Sequence, residues 1–276
     1  MNTMNEQGER EHRARKRFGQ HFLHDPAVVQ RIALAVAPLP GEPLVEIGPG
    51  TGVLTSVLLD AVPRLHAVEI DRDLAGGLQQ RFAGRGLSVH LADALRFDFA
   101  ALAEGPGTLR VVGNLPYNIS TPLLFHLLGM RESIRDMHFM LQREVVTRLA
   151  APPGGRDYGR LSVMVQLHCE VEPLFRVGPG AFRPPPRVES TVVRLRPHGV
   201  LALETRELPV LAAIVTRAFG QRRKTLRNAL RGSCTDQDME AAGVDPSARP
   251  ETLPVSAYVA LARAVVARAG DGADCG

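Results

Sequence analysis

The residues Leu44-Val45-Glu46-Ile47-Gly48-Pro49-Gly50-Thr51-Gly52 join a short apolar run to a glycine-rich turn, and residues 53–58 continue with apolar residues at helical spacing. This order of strand, turn and helix is typical of the first unit of a nucleotide-binding α/β sheet. A dinucleotide fingerprint needs a third glycine where this chain has Val53, so the glycines read GxGxG instead. With Glu46 directly before them, the pattern favours S-adenosyl-L-methionine over a nicotinamide dinucleotide. A tight turn that binds no ligand is the alternative interpretation.

The same alternation of strands and helices extends in both directions from this stretch. Further strands are predicted at Leu65–Ile70, Leu87–Leu91 and Arg110–Gly113, with helical patterns between them. The pattern predicts a doubly wound, Rossmann-like α/β methyltransferase sheet. Beyond about residue 200 only helical periodicity is found, including a predicted helix over Arg222–Leu230. We therefore predict a disordered tail over residues 1–12, a cofactor-binding methyltransferase domain over 13–199 and a small all-helical domain over 200–276.

Two acidic residues follow the second and third strands at positions suited to a nucleoside. Glu69 lies 21 residues after Gly48, where a carboxylate accepts hydrogen bonds from ribose hydroxyls in dinucleotide folds. Asp93 follows the third strand and is placed to accept a hydrogen bond from an adenine amine. Taken singly, each acid fits a solvated loop residue better than a ligand contact. Together with Gly48 and Gly50 they predict the cofactor site.

The tetrapeptide Asn114-Leu115-Pro116-Tyr117 follows the fourth strand and indicates the chemistry. An aryl amine delocalises its lone pair into its ring, so a methyltransferase must hold that amine and favour a tetrahedral nitrogen. The Asn114 side-chain oxygen and the Leu115 carbonyl can accept the two N–H groups, and Pro116 fixes the turn. Tyr117 can stack on the base, which contributes about 1–3 kcal/mol. An ordinary asparagine–proline turn is the alternative.

These motifs, with several others in the same order, resemble the ribosomal RNA small-subunit adenine dimethyltransferase (KsgA-type) family from about Arg15 to Tyr258. The matching blocks are Phe18–Leu23, Val45–Gly52, Gly113–Thr121, Met137–Gln142, Phe182–Ser190 and Gln221–Thr225. The resemblance implies an enzyme that dimethylates two adjacent adenosines near the 3′ end of small-subunit rRNA. It also implies a late role in maturation of the immature small subunit.

The resemblance also assigns site residues. The family's cofactor contacts fall on His21, Leu23, Gly48, Glu69, Asp93 and Asn114. Many members carry Asn where this chain has His21, a difference that we expect the site to tolerate. The family places Phe182 beside Tyr117, so that the two rings sandwich the flipped base; a core position is the alternative for Phe182. With Gly50 and residues 114–117, these residues form the predicted site.

Two basic segments are predicted to bind RNA. The first is an N-terminal arm with Arg15, Lys16 and Arg17, and the second contains Arg222, Arg223, Lys224 and Arg227, with no acidic residue between positions 217 and 231. An adenine amine inside a duplex is unreachable, so the target base must be turned out or lie in a loop. Arginine forks suit the phosphates on either side of it. A solvated helix face is the alternative for the second segment.

Composition limits the remaining possibilities. The chain has 276 residues, 33 basic and 29 acidic, and 45% are hydrophobic, which excludes disorder throughout. No apolar run approaches the roughly 18 residues of a membrane span, and the first ten residues show no signal-peptide core. The three cysteines form no CxxC pair and no His/Cys/Asp cluster has ligand spacing, so we expect no metal and a cytoplasmic location. Without an apolar heptad pattern, we expect a monomer.

Two other functions remain open at this stage. A methyltransferase acting on large-subunit rRNA would share the glycine turn and the Asn-Leu-Pro-Tyr motif, although the blocks at 182–190 and 221–225 favour the small subunit. A non-catalytic ribosome-assembly factor would keep the fold without the activity. The intact set of Gly48, Glu69, Asp93 and Asn114 argues against that second alternative.

Overall fold

The computed structural model describes residues 21–271, so the predicted tail and the basic residues Arg15, Lys16 and Arg17 lie outside the described residues. No helix within that range is both long and apolar enough for a membrane span. The strands are β1 (Phe22–Leu23), β2 (Leu44–Ile47), β3 (Leu65–Glu69), β4 (Leu87–Leu91), β5 (Leu109–Asn114), β6 (Ile134–Gln142), β7 (Cys169–Val177), β8 (Phe182–Arg183) and β9 (Ser190–Pro197). The helices are α1 (Pro26–Val36), α2 (Val53–Ala61), α3 (Arg72–Arg81), α4 (Ser120–Gly129), α5 (Arg143–Ala150), α6 (Arg160–His168), α7 (Leu208–Gly220), α8 (Leu226–Ala229), α9 (Asp236–Ala241) and α10 (Val255–Asp271).

Seven of the described strands form one sheet in the order β4-β3-β2-β5-β6-β9-β7. The strands from β4 to β6 are parallel, and β9 pairs antiparallel with β6. The Rossmann-like α/β fold predicted from the alternation of strands and helices is confirmed. Because β3 and β5 lie on opposite sides of β2, the order in which strands are added to the sheet reverses at β2. Open α/β sheets bind ligands at the carboxyl ends of their strands beside such a reversal.

The central strands β2 and β5 are mostly apolar and almost fully buried. All four residues of β2 are buried, as are five of the six residues of β5. In contrast, every residue of the edge strand β4 has some exposure to solvent. A parallel strand covered by helices on both sides reads as a continuous hydrophobic run rather than as an alternation.

Local signals fix the start of α1. The Asp25 side chain accepts hydrogen bonds from the backbone N–H groups of Ala27 and Val28, at 2.9 and 3.3 Å, and Pro26 is the first helical residue. Proline fits there because the first N–H of a helix has no partner within the helix.

A two-stranded sheet, β1 with β8, was not predicted. Leu23 pairs with Phe182, and Phe22 pairs with Arg183 in antiparallel register. The Leu23 and Phe182 side chains are buried in the same core cluster. Two-residue strands are too short to show a periodicity, so only the contact between distant parts of the chain forms them.

The chain forms two compact units, and their division differs from the predicted boundaries in one place. Up to residue 271, the second unit contains Glu144–Val171 as well as the chain from His198 onward, and the first contains the chain up to Arg143 together with Glu172–Pro197. The second unit begins again at His198, close to the boundary predicted near residue 200. The segment Glu144–Val171 joins the helical unit because its apolar side chains, such as Tyr158 and Val163, share a core with those of α7 and α10.

The prediction of a helix over Arg222–Leu230 is wrong for the first half of that range. Residues 221–224 form a turn in which the Lys224 N–H donates to the Gln221 carbonyl at 2.8 Å. Helix α8 then covers only Leu226–Ala229. The basic residues at 222, 223 and 227 therefore do not share one helical face.

Candidate active site

A cavity of about 790 Å³, including the part open to solvent, lies at the carboxyl ends of β2, β3, β4 and β5. Parallel strands end at the same edge of a sheet, which is why side chains far apart in sequence meet there. The lining residues are His21, Phe22, Ile47, Gly48, Gly50, Val68, Glu69, Ile70, Ala92, Asp93, Ala94, Asn114, Leu115, Pro116, Tyr117 and Ile119.

The glycine turn after β2 requires glycine for both conformation and space. Gly48, Gly50 and Gly52 have φ values of 65°, 57° and 79°, a region that other residues rarely adopt. A Cβ atom at Gly52 would lie 2.7 Å from Leu78 Cδ2, and one at Gly50 would lie 3.0 Å from the Phe22 ring. The turn therefore packs closely against its surroundings, and Gly48 and Gly50 line the cavity.

Glu69 organises the cavity wall at the end of β3 and is only 5% exposed. One carboxylate oxygen accepts from the N–H groups of Ile70 and Asp71, at 2.9 and 3.0 Å, and the other accepts from the Gly50 N–H at 3.3 Å. Burial raises the pKa of Glu69, and these three donors act in the opposite direction. Each carboxylate oxygen has more than one acceptor site, so Glu69 can still accept from a ligand hydroxyl.

Glu46 does not line the cavity, although the sequence placed it directly before the glycines. Its side chain is 3% exposed and accepts a 2.6 Å hydrogen bond from the Thr55 hydroxyl of α2. Burial raises the pKa of Glu46 to about 7, and the nearby charge of Glu69 adds to that rise. Glu46 is therefore a buried carboxyl group beneath the turn that titrates near neutral pH.

The raised pKa of Glu46 predicts a pH-dependent stability. A carboxyl group with a pKa raised by folding stabilises the protein fully below its unfolded pKa, and this stabilisation is lost as the pH rises through about 7. We expect the contribution of Glu46 to the free energy of unfolding to fall by about 2 kcal/mol between about pH 5.5 and about pH 8.5. Glu46→Gln keeps an acceptor for Thr55 without the charge, so its free energy of unfolding should lack this decline. Urea denaturation at both pH values measures it.

The exposed Glu104 provides the control for this comparison. A Glu104→Gln variant should retain the decline seen in the parent protein. An equal decline in Glu46→Gln and in the parent would assign the pH dependence to other groups.

Asp93 lies at the cavity after β4. One of its oxygens accepts a 2.9 Å hydrogen bond from the Leu95 N–H, which fixes the carboxylate at the start of the following turn. Val68, Ile70 and Ala94 supply apolar surface to the same cavity. An acceptor beside apolar walls suits a purine ring that carries an amine.

Asn114 is held in one orientation at the end of β5. Its side-chain NH₂ donates to the backbone carbonyl of His21 at 3.0 Å, and a carbonyl oxygen can only accept. The Asn114 side-chain oxygen is therefore the atom left for a ligand N–H. The carbonyl of Pro116 accepts from the Ile119 N–H at 3.2 Å, which closes the turn that carries Tyr117.

The Tyr117 ring is held by two neighbours. Its hydroxyl lies 2.8 Å from the hydroxyl of Ser190, and its ring centroid lies 5.8 Å from that of His21. Burial raises the pKa of Tyr117, so the phenol stays neutral at physiological pH. Ser190 was not predicted as a site residue, although it closes the block Phe182–Ser190. The contact joins residues 73 positions apart, which no local pattern could reveal.

Two predicted site residues do not reach the cavity. Phe182, expected to sandwich a base with Tyr117, is 2% exposed and packs in the core of the first unit, so in this structure it takes the core position given as the alternative. Leu23, a predicted cofactor contact, is buried in the same cluster and is not a lining residue. The pairing of β1 with β8 turns both side chains inward. The remaining predicted cofactor and catalytic residues all line the cavity.

The four basic residues predicted on the second segment differ in what they contact. Arg222 donates to the Gly155 carbonyl at 3.0 Å and lies 3.7 Å from Glu251. Arg227 pairs with Asp236 at 3.0 Å. Arg223 and Lys224 are exposed, and neither has an ion-pair partner among residues 21–271. Only Arg223 and Lys224 are thus fully available to an external anion.

No group of three potential metal ligands occurs among the described residues. The cavity instead offers oxygen acceptors and apolar walls, which fit a nucleoside. Glu69 would accept from the ribose hydroxyls, and Asp93 would accept from the adenine amine.

The family model for ribosomal RNA adenine dimethylase matches residues 11–265. The chain belongs to that family. A relative from Pseudomonas fluorescens (strain Pf-5), named ribosomal RNA small subunit methyltransferase A, is 58% identical over 253 residues, covering 91% of this chain and 94% of the relative. A protein of the same name from Nitrosococcus oceani is also 58% identical, with 91% of this chain and 96% of the relative covered.

Two solved structures share the fold over most of the chain. A dimethyladenosine transferase from Plasmodium falciparum superposes with a TM-score of 0.77 at 25% identity, covering 87% of this chain and 96% of that one. The 23S rRNA methyltransferase ErmE gives a TM-score of 0.70 at 26% identity, covering 89% and 99%. A dimethyladenosine transferase and a 23S rRNA methyltransferase thus share the fold of this chain.

Proposed function

We propose that this dimethylase transfers methyl groups from S-adenosyl-L-methionine to the N6 amines of two adjacent adenosines near the 3′ end of small-subunit rRNA. The substrate is the rRNA within an immature small subunit, in the cytoplasm where subunits are assembled, and the enzyme acts as a monomer. The observation that carries the proposal is the orientation of Asn114, whose side-chain oxygen is left free at the cavity by the bond from its NH₂ to His21. The names of the close relatives support the small subunit as the target.

The chain's own residues position the amine. When bound, S-adenosyl-L-methionine supplies a methyl group activated by its sulfonium. The Asn114 oxygen and the Leu115 carbonyl accept the two amine N–H groups, which favours a tetrahedral nitrogen with its lone pair free. Tyr117, held by Ser190, provides a face for the base. The amine proton becomes acidic once the nitrogen has taken up the methyl group, so the protein needs no strong base. Positioning and electrostatics carry the catalysis.

Transfer of labelled methyl groups tests this proposal directly. Unmethylated small subunits, large subunits, naked rRNA and DNA are offered side by side, with Asn114→Ala as the inactive control. Incorporation of about four methyl groups per small subunit corresponds to two dimethylated adenosines. Incorporation into large subunits would instead support the second candidate, a large-subunit rRNA methyltransferase, which the similarity to ErmE favours. Tight binding to subunits without any transfer would indicate an assembly factor.

Substitutions of the basic residues in the second unit are expected to change the salt dependence of RNA binding by different amounts. If about five phosphates are neutralised in all, log K should fall with log salt at a slope near −3.5 on single-stranded RNA. Arg223→Gln with Lys224→Gln should make that slope shallower by about 1.4, which is about 0.7 for each phosphate. Arg227→Gln should change the slope by less than about 0.7, because Arg227 is already paired with Asp236. Filter binding at several salt concentrations measures the slope. A change of about 0.7 for Arg227→Gln alone would contradict this expected difference.

A further inference from the structure

The segment between Phe182 and Ser190 is tied to the cavity at two points. The Nδ1 atom of His21 lies 2.7 Å from the carbonyl oxygen of Pro184, so Nδ1 carries the proton and donates. At the other end, the Ser190 hydroxyl bonds to Tyr117. His21 and Tyr117 both line the cavity. The residues between these two bonds therefore run along the rim of the cavity.

The segment is stiff where it leaves β8. Pro184, Pro185 and Pro186 follow one another, and each proline ring fixes the backbone φ angle. Pro186 is buried, whereas Pro184 and Pro185 are exposed. A restrained segment loses little conformational entropy when it binds a partner.

The rim has an excess of positive charge. Arg183 and Arg187 are exposed, and neither has an ion-pair partner among the residues that the structure describes. Arg183 follows the buried Phe182 in β8, and successive side chains of a strand point to opposite sides. The one acidic residue of the segment, Glu189, is neutralised by Arg143, whose Nη1 lies 2.8 Å from Glu189 Oε2. Two arginine charges are thus left uncompensated beside the cavity.

We propose that Arg183 and Arg187 form a phosphate-binding rim that holds the RNA backbone next to the adenosine inserted in the cavity. The inference rests on the proposed function and specifies which residues hold the strand at the site itself. A base turned out of its stack brings its flanking phosphates to the edge of the pocket that receives it. Guanidinium groups match phosphate oxygens in a bidentate geometry, and the two anchoring bonds hold the segment that carries them.

The double substitution Arg183→Gln with Arg187→Gln tests the rim. The KM for small subunits should rise about tenfold, and the salt slope of RNA binding should become shallower by about 1.4. Affinity for S-adenosylhomocysteine should stay within about twofold of that of the parent, because neither arginine lines the cavity. Arg64→Gln is the matched control, since Arg64 is exposed and precedes the amino end of β3, opposite the end that carries Glu69.

A substitution that removes a negative charge from the rim provides a second test, with the opposite expected effect on KM. Glu189→Gln removes the negative charge that offsets Arg143, so the KM should fall about twofold and the salt slope should steepen. If the parent is active and the double variant has an unchanged KM and an unchanged salt slope, Arg183 and Arg187 do not bind RNA phosphates. That result would leave the proposed function intact. A parent that methylates no RNA would overturn the proposed function, and the salt slope of RNA binding by the double variant would still decide the rim. Circular dichroism confirms that each variant is folded.

Discussion

Asn114→Ala is expected to lower kcat for methyl transfer by about 10²–10³-fold, the effect of removing one group that stabilises a transition state. The Asn114 NH₂ is bound to the His21 carbonyl, so the side-chain oxygen is the acceptor placed for the substrate amine. Alanine provides no acceptor and also leaves the His21 carbonyl without this donor. The affinity for the proposed cofactor should change much less, because Glu69 and Asp93 remain. Single-turnover methylation of small subunits measures the chemical step.

A matched control separates this effect from a general disturbance of the protein. Gln79 is an exposed amide on α3 outside the cavity, and Gln79→Ala should leave kcat within about twofold of that of the parent. If Asn114→Ala retained more than about a tenth of the parent kcat, the assigned role of its side-chain oxygen would be wrong. A fall in cofactor affinity as large as the fall in kcat would instead assign Asn114 to cofactor binding.

Glu69→Ala is expected to weaken binding of the proposed cofactor by about 10³-fold. Two hydrogen bonds from ribose hydroxyls to a carboxylate contribute about 1.5–3 kcal/mol each. The substitution also leaves the N–H groups of Gly50, Ile70 and Asp71 without their acceptor. We therefore expect a lower melting temperature together with the loss of affinity. Isothermal titration with S-adenosylhomocysteine measures the binding.

Glu69→Gln distinguishes the two roles of this carboxylate. Glutamine keeps one acceptor oxygen, so part of the backbone bonding should survive while one ribose contact is lost. Its affinity should lie between those of the parent and Glu69→Ala. The exposed Glu104→Ala is the control and should match the parent in affinity and melting temperature. Parent-like affinity in Glu69→Ala would exclude Glu69 as the ribose-binding group.

Much of the candidate site was predictable because it lies where parallel strands end. Gly48, Glu69, Asp93 and Asn114 each follow or end a short apolar strand, and the carboxyl ends of those strands meet at one edge of the sheet. Local residues also fixed the start of α1, where Asp25 and Pro26 act within a single turn. Such signals extend over only a few residues, so a linear sequence displays them fully.

The remaining features depend on contacts between distant segments. Ser190 reaches Tyr117, Phe182 turns into the core, and Arg222 binds the Gly155 carbonyl, each across tens of residues. The strand-and-helix pattern continues through Glu144–Val171 without a change, although that segment shares its core with the C-terminal helices.

The sequence by itself therefore determined the sheet, its glycine turn and the residues at its carboxyl edge, because periodicity and local capping express them. Only the tertiary structure decided which side chains hold Tyr117, which arginines stay free, and that Glu46 lies buried beneath the turn. Burial and long-range hydrogen bonding depend on which surfaces meet in the folded chain, and spacing along the chain does not record that.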